Sequence, residues 1–170
     1  MTKLIYQTIF MIAILQFAII NTHAAPMIVR IDARQDYYPG DGNPTENDWC
    51  FEILHPTRVY DCYKANQLAD EALKSAKENY PKSLHNGPGD AYRHCYWSGL
   101  LTFEFGEAEA KGFGDRHEDD PNNPPNEKAM DLYNNNVGRT IAKTIRKGDK
   151  NAMSAACKRA VSDGRLKTLS

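Results

Sequence analysis

Helix-breaking residues divide the chain from Thr57 onwards into five segments of helical length. In the first segment, small and apolar side chains recur at steps of three and four residues, the period of a helix that buries one face. These side chains are Ala65, Leu68, Ala69, Ala72, Leu73 and Ala76. Interruptions follow at Pro81, Gly106, Pro121–Pro125 and Gly148. Because proline and glycine commonly end helices, the spacing predicts an all-α fold, a compact five-helix array.

Residues beside these interruptions predict where individual helices begin. Asp90 lies at or near the start of the second segment, and Asp149 directly precedes the fifth. A carboxylate at such a position accepts the free N–H groups of the first helical turn. Asn126 precedes the fourth segment in the same way, and the apolar pattern of that segment continues to Ile145. We therefore expect the fourth helix to begin after Asn126 and to end at Gly148.

The first 24 residues are typical of a secretory signal peptide. Lys3 precedes an apolar run from Leu4 to Ile20, and small side chains follow at Ala24 and Ala25. This is the order of the charged, apolar and cleavage regions in such peptides. The alternative is an uncleaved anchor, although about 17 apolar residues is at the short end of what spans a bilayer. We expect cleavage after Ala24, no stable membrane anchor afterwards, and a secreted or periplasmic protein.

The composition is that of a folded protein without the charge of a nucleic-acid binder. Lys plus Arg total 21 and Asp plus Glu total 22, so the net charge is −1, and we expect no nucleic-acid partner. Charged residues at 25% and apolar residues at 41% exclude wholesale disorder. Residues 25–56 are expected to form an irregular N-terminal arm, because Arg34 to Pro56 is rich in proline, glycine, aspartate and asparagine, and only Met27 to Ala33 suggests a short strand. The helical domain is expected over residues 57–170.

Four cysteines follow the signal peptide, at Cys50, Cys62, Cys95 and Cys157. An even number of cysteines in an oxidising compartment indicates two disulfides. Three pairings are possible, and the sequence does not choose among them. The short Cys50–Cys62 loop is attractive because it would staple the arm to the first helix and leave Cys95 to pair with Cys157. A zinc site is the weaker alternative, since no two cysteines have the C-x-x-C spacing.

Candidate functional residues lie in the second, third and fourth segments. Asp90, His94 and Trp97 share one face of the second segment, because they recur at helical spacing. Three consecutive asparagines, residues 134–136, stand inside the fourth segment although asparagine competes for backbone hydrogen bonds. Such local rule-breaking is expected at functional or strained sites. The candidate catalytic residues are His94, His117, Glu118 and Asp131, and the candidate substrate-binding or orienting residues are Asp90, Arg93, Trp97, Asn134, Asn135 and Arg139.

The motifs D-A-x-R-H-x-x-W, H-E and M-D-L-x-N-N-x-x-G occur in this order at Asp90–Trp97, His117-Glu118 and Met130–Gly138. This order resembles a bacterial domain family of unknown function that is found in secreted proteins. In some cases, members stand at the C-termini of polymorphic-toxin-like proteins. The resemblance covers about residues 85–147, the motif core. It implies a helical domain with a polar cluster, but no established reaction.

Two histidines with two carboxylates are a common set of groups for hydrolysis. One histidine serves as general base for water, a carboxylate orients it, and asparagine or arginine donors stabilise developing negative charge. The same four residues could bind a divalent metal that activates water, although the sequence does not require a metal and H-E-x-x-H is absent. The sequence therefore predicts a hydrolase-like effector that acts on an extracellular or envelope substrate.

The alternative is a non-enzymatic secreted module that binds a protein or polymer, or has a structural function. In this interpretation His94 is a core histidine, Trp97 is a core aromatic residue, and the asparagines satisfy the backbone of a neighbouring loop. Gly138 then marks a close helix crossing. The two interpretations differ in whether the candidate catalytic side chains meet in a pocket that solvent can reach.

Overall fold

The computed structural model describes residues 49–50 and 57–170 of the chain. Residues 57–170 form five helices: α1 (Thr57–Asn79), α2 (Pro88–Phe105), α3 (Glu107–His117), α4 (Pro125–Ala142) and α5 (Lys150–Ser162). The described residues contain no strand, so the predicted all-α, five-helix array is confirmed. Trp49 and Cys50 of the N-terminal arm are helical. The predicted signal peptide and the rest of the arm lie outside the described residues.

Helix α2 is the central helix of the array, since it packs against each of the other four. Side chains from all around it are buried, including Tyr92, Leu100 and Leu101. A helix that is apolar on every side belongs in a core. The remaining helices bury one face each, and on α1 this face carries Ala65, Ala72 and Ala76, as the periodicity predicts.

Helices α2 and α4 cross at Gly138. A Cβ atom added at this glycine would lie 2.1 Å from the carbonyl oxygen of Cys95, a distance that no backbone contact tolerates. The absence of a side chain therefore sets how closely the two helices approach. The expected close helix crossing at Gly138 is confirmed.

The start of α5 agrees with the sequence prediction, whereas both ends of α4 differ from it. An Asp149 side-chain oxygen accepts the Ala152 N–H at 3.0 Å, as a helix cap does. Helix α4 begins at Pro125, because proline suits a first position whose N–H would have no partner. Asn126 is therefore inside the first turn, and its prediction as the cap was wrong. The helix ends at Ala142, and Ile145 lies in the turn that follows, where it packs on the core.

Both disulfides predicted from the cysteine count are present. Cys50 pairs with Cys62 and ties the arm to α1, and Cys95 pairs with Cys157 and ties α2 to α5. No cysteine is free. Two disulfides are typical of an oxidising compartment. Within residues 49–50 and 57–170, no helix combines the length and apolar character that crossing a bilayer requires.

We predict that Gly138→Ala lowers the free energy of unfolding by about 3 kcal/mol or more, because overpacking against a backbone carbonyl cannot be relieved by moving a side chain. Chemical denaturation measures the change. The matched control is Gly112→Ala in α3, where the new Cβ meets only the flexible end of Arg116 at 3.1 Å. We expect this control to be neutral or to stabilise by up to about 1 kcal/mol. Equal effects of the two variants would contradict the close crossing.

The two disulfides should contribute unequally to stability. The Cys95–Cys157 bridge closes 62 residues and the Cys50–Cys62 bridge closes 12, so the first restricts the unfolded chain more. We expect the Cys95→Ala/Cys157→Ala double variant to lose about 4 kcal/mol and the Cys50→Ala/Cys62→Ala double variant about 3 kcal/mol. Urea denaturation of both variants tests the order, which the opposite ranking would refute.

Candidate functional site

The imidazole of His94 lies among three carboxylates from three parts of the chain. Its Nε2 atom is 3.3 Å from Oδ1 of Asp131 on α4 and 3.5 Å from Oδ1 of Asp90, one turn earlier on α2. Its Nδ1 atom is 3.5 Å from Oε1 of Glu118, the residue that follows α3. Together with Arg93, these residues are called the His94 cluster below. The structure thus brings together three of the four candidate catalytic side chains, His94, Glu118 and Asp131.

Arg93 contributes the positive charge of the cluster. Its Nη2 atom donates to Oδ1 of Asp90 at 2.6 Å and lies 2.9 Å from Nε2 of His94. A guanidinium can only donate, so the second contact requires a lone pair on Nε2. The proton of the neutral imidazole is then on Nδ1, on the side of Glu118. We assign this tautomer from the contacts.

Asp90 also closes the start of α2. Its Oδ2 atom accepts the backbone N–H of Asn86 at 2.7 Å, while Oδ1 receives the Arg93 guanidinium. Asp90 is the third residue of the helix, where a carboxylate commonly reaches back to the N–H groups before the first turn. The prediction of Asp90 at or near the N-cap is therefore correct in location. Its side chain has both a capping contact and a cluster contact.

The pKa values of the cluster follow from burial opposed by charge. Burial alone would raise the pKa of Asp90, but the hydrogen bond and charge of His94 and the Arg93 guanidinium hold it well below its ordinary value. Burial raises the pKa of Asp131 to about 6, against the charge of His94. Burial would lower the pKa of His94, but the carboxylates, Asp131 foremost, raise it above 6.5. The carboxylates thus favour protonation of Nε2, whereas the Arg93 contact requires a lone pair on the same atom. The two effects oppose each other.

Glu118 is held by two asparagine side chains. It is fully buried, its Oε2 accepts the amide of Asn123 at 3.0 Å, and its Oε1 lies 3.5 Å from the amide nitrogen of Asn135. Asn135 in turn lies over Gly114, where an added Cβ would be 3.2 Å from the same amide nitrogen. Asn135 is therefore a positioning residue for Glu118. Asn123 was not among the sequence candidates, and its place in a polar proline-rich loop gave no specific signal.

Several buried polar atoms of the cluster and of the neighbouring Asn135 have no hydrogen-bond partner. These atoms are Nδ1 of His94, Oδ1 of Asp131 and Oδ1 of Asn135. Buried polar atoms are usually paired, so each exception calls for an explanation. Asp90, His94 and Asp131 also offer three ligand atoms that lie within 4.8 Å of one another, close enough to hold a metal ion.

The cluster is almost entirely enclosed. His94 is 2% exposed and Asp131 is 8% exposed, whereas the side chain of Arg93 is 18% exposed. Solvent therefore reaches the cluster best beside Arg93, at the Nε2 side of His94. Three of the four candidate catalytic side chains, His94, Glu118 and Asp131, therefore meet in a cluster that is almost wholly buried.

A model of a known protein family matches most of the chain. Residues 52–165 match the model of a domain of unknown function, DUF6973. The chain belongs to this family. The match confirms the expected membership of a family of unknown function. It contains all five helices, and so extends beyond the expected motif core of residues 85–147. No solved structure matches the chain.

Within the DUF6973 domain, His117 and Trp97 form a second layer beside His94. The His117 ring is 6.2 Å from the His94 ring and 5.1 Å from Trp97, which meets it edge-on. Trp97 is 3% exposed, and its Nε1 donates to the Ala65 carbonyl at 3.3 Å. These contacts match the interpretation of Trp97 as a core aromatic residue. They also place His117 next to the cluster, with its ring near those of both His94 and Trp97.

Two candidate residues of α4 make their contacts outside the cluster. Asn134 pairs with the backbone of Lys167 in both directions, donating at 3.0 Å and accepting at 2.9 Å, so it fastens the C-terminal segment to α4. Arg139 is buried and donates to Asn136 at 3.3 Å. Burial lowers its pKa, opposed by the charges of Asp115 and Glu107. The asparagine run therefore has structural partners at all three positions.

We predict that the free energy of unfolding of the EDTA-treated protein falls as pH rises from about 4 to above 7. Asp131 accounts for up to about 3 kcal/mol of this loss. The folded-state pKa of Asp131 is about 6 and that of His94 is raised, so the folded protein holds more protons than the unfolded chain across this window. Asp131→Asn removes one titrating group and the main charge that acts on the other. Urea denaturation at several pH values should show a smaller slope for this variant, and an unchanged slope would contradict the assignment.

Proposed function

We propose that this DUF6973 protein is a secreted hydrolase-like effector that acts on an extracellular or envelope substrate, such as a lipid or a cell-wall polymer. The observation that carries the proposal is the position of His94 between Glu118 at Nδ1 and Asp131 at Nε2. A histidine whose Nδ1–H faces a carboxylate has its lone pair on Nε2, and this lone pair becomes available for chemistry when the Arg93 guanidinium moves away from it. The signal-peptide pattern and the two disulfides support an extracellular location.

The reacting water in this proposal stands at the Nε2 side of His94, where the cluster is most exposed. The lone pair of Nε2 can accept a proton of the water, or it can hold a cation that polarises the water. The water oxygen then forms a bond to the electrophilic atom of the substrate, the bond from that atom to the leaving group breaks, and the leaving group takes up the proton that the water gave up. Arg93 lies at the same side and supplies a donor for developing negative charge.

The resemblance to domains at the C-termini of polymorphic-toxin-like proteins supports an effector or toxin. The motif residues Asp90, Arg93 and His94, together with Glu118 and Asp131, are the members of the cluster, so the pattern corresponds to one site. A toxin domain needs activity on a substrate, whereas a structural module needs only a folded core.

A second candidate function is a binding or structural module in which the cluster is a buried inter-helix network. The observation that favours it is the burial of Glu118 and His94, at 0% and 2% exposure. Buried ion pairs can specify how helices associate, and breaking one by removing a partner is strongly destabilising. In this case a partner protein or polymer would contact the surface of the domain.

Substitutions that preserve shape distinguish the two functions. We expect His94→Gln and Glu118→Gln to lower activity by about 100-fold or more, while far-ultraviolet circular dichroism and the melting temperature stay close to those of the wild type. The assays are a toxicity test on secreted protein and a panel of lipid and cell-wall substrates. Asp163→Asn is the control, because Asp163 forms an exposed ion pair with Arg165 outside the cluster.

The structural function predicts a different pattern. Wild-type protein would then be inactive on every substrate, and His94→Gln and Glu118→Gln would lose about 3–5 kcal/mol of stability. That combination would reject the hydrolase proposal. Activity that survives in both cluster variants would reject the assignment of the site.

A further inference from the structure

We propose that Asp90, His94 and Asp131 form a binding site for a divalent first-row transition-metal ion of the Zn²⁺ or Mn²⁺ class, for which the Arg93 guanidinium competes. The use of this ion in hydrolysis rests on the proposed function. The binding itself does not, since an ion can be measured in a protein that cleaves nothing.

The first support is the distance between the donor atoms. Nε2 of His94 is 3.5 Å from Oδ1 of Asp90 and 3.3 Å from Oδ1 of Asp131. Two ligands of a tetrahedral ion with bonds of about 2.1 Å are about 3.4 Å apart. Nε2 of His94 is therefore already at such a separation from both carboxylates, and the ligand atoms of all three side chains lie within 4.8 Å of one another.

The second support is the hydrogen bonding of Asp131. Its Oδ1 atom is buried and lies 3.3 Å from Nε2 of His94, but it has no hydrogen-bond partner. The Asp131 side chain as a whole is 11% exposed. An unpaired carboxylate oxygen in that environment is costly, and a bound cation would satisfy it.

The third support is the carboxylate on the far side of the imidazole. Metal-binding histidines commonly donate their other ring N–H to a carboxylate, which fixes the tautomer and raises the basicity of the ligand nitrogen. Oε1 of Glu118 lies on this side of the ring, 3.5 Å from Nδ1 and not hydrogen-bonded to it, and Asn123 and Asn135 hold Glu118 in turn. A buried structural histidine needs no such second carboxylate.

The Arg93 guanidinium occupies the place that a bound cation would take. Its Nη2 contacts both Nε2 of His94 and Oδ1 of Asp90, two of the three ligand atoms. The guanidinium is on a long side chain that is partly exposed, so it can leave when an ion enters. One imidazole with two carboxylates suits Zn²⁺ or Mn²⁺, whereas Ca²⁺ needs six to eight oxygens, more than this cluster offers.

The experiment is a titration of the mature, disulfide-bonded protein with ZnCl₂, MnCl₂ and CaCl₂ after dialysis against EDTA. Isothermal calorimetry and the melting temperature give the stoichiometry and affinity. We expect one Zn²⁺ or Mn²⁺ per chain, a raised melting temperature, and much weaker binding of Ca²⁺. His94→Gln and Asp131→Asn should abolish binding, Glu118→Gln should weaken it about 10- to 100-fold, and Asp163→Asn should not change it.

Arg93→Gln gives the sharpest test, because it removes the competing charge and keeps every ligand. We expect this variant to melt at a lower temperature without metal, to bind Zn²⁺ several-fold more tightly than the wild type, and to gain more stability from it. A purely structural ion pair predicts the lower melting temperature without the gain. Circular dichroism establishes that each variant is folded before titration.

The inference is overturned if neither the wild type nor Arg93→Gln binds Zn²⁺ or Mn²⁺ at one ion per chain. It is also overturned if His94→Gln and Asp131→Asn bind as the wild type does, or if Ca²⁺ binds equally well. Stoichiometric binding by a protein that cleaves no substrate would support the metal site and reject the proposed hydrolase. Hydrolysis without any metal binding would do the reverse.

Discussion

The close approach of α2 and α4 is the constraint on which the rest of the structure depends. The helices meet where Gly138 lies against the carbonyl of Cys95, the residue next to His94. At this separation, the one-turn pair Asp90 and His94 on α2 is within ion-pair distance of Asp131 on α4. A side chain at Gly138 would move the helices apart and remove the carboxylate from the imidazole. The same helix crossing therefore determines both how the core packs and which residues form the polar cluster.

The cluster contains more charge than a helical core needs. Replacing a buried ion pair by apolar side chains is often neutral or stabilising, so burying three carboxylates with one arginine is not explained by stability. Oδ1 of Asp131 has no hydrogen-bond partner, which is stronger evidence against selection for stability alone, since a network selected for stability would satisfy this atom. The asparagines that hold Glu118 belong to the same arrangement. Their contacts fix the direction of one carboxylate, which matters for a site that must present a particular lone pair.

Much of the fold could be predicted from the sequence, because helix periods and breakers are local signals. The segments around Ala65–Ala76 and Glu107–His117 show this, and Asp149 shows that a cap can be recognised from one residue. The errors occurred at α4, where proline at the first helical position displaced the expected Asn126 cap. For the site, spacing identified the face shared by Asp90 and His94. It could not show that Arg93 turns back onto Nε2 or that Asn134 pairs with Lys167, because those contacts depend on how distant segments meet.

The Cys95–Cys157 bridge has a consequence for when the polar cluster can exist. Cys95 is adjacent to His94 and provides the carbonyl that contacts Gly138, so the bridge to α5 fixes the rotation of α2 at the cluster itself. A chain with reduced thiols lacks this constraint, and its unfolded state is favoured by the loss of a 62-residue closure. The bridge therefore links the order of the polar cluster to the redox state of the chain. We expect the polar cluster to be well ordered in an oxidising environment, and less so where the thiols are reduced.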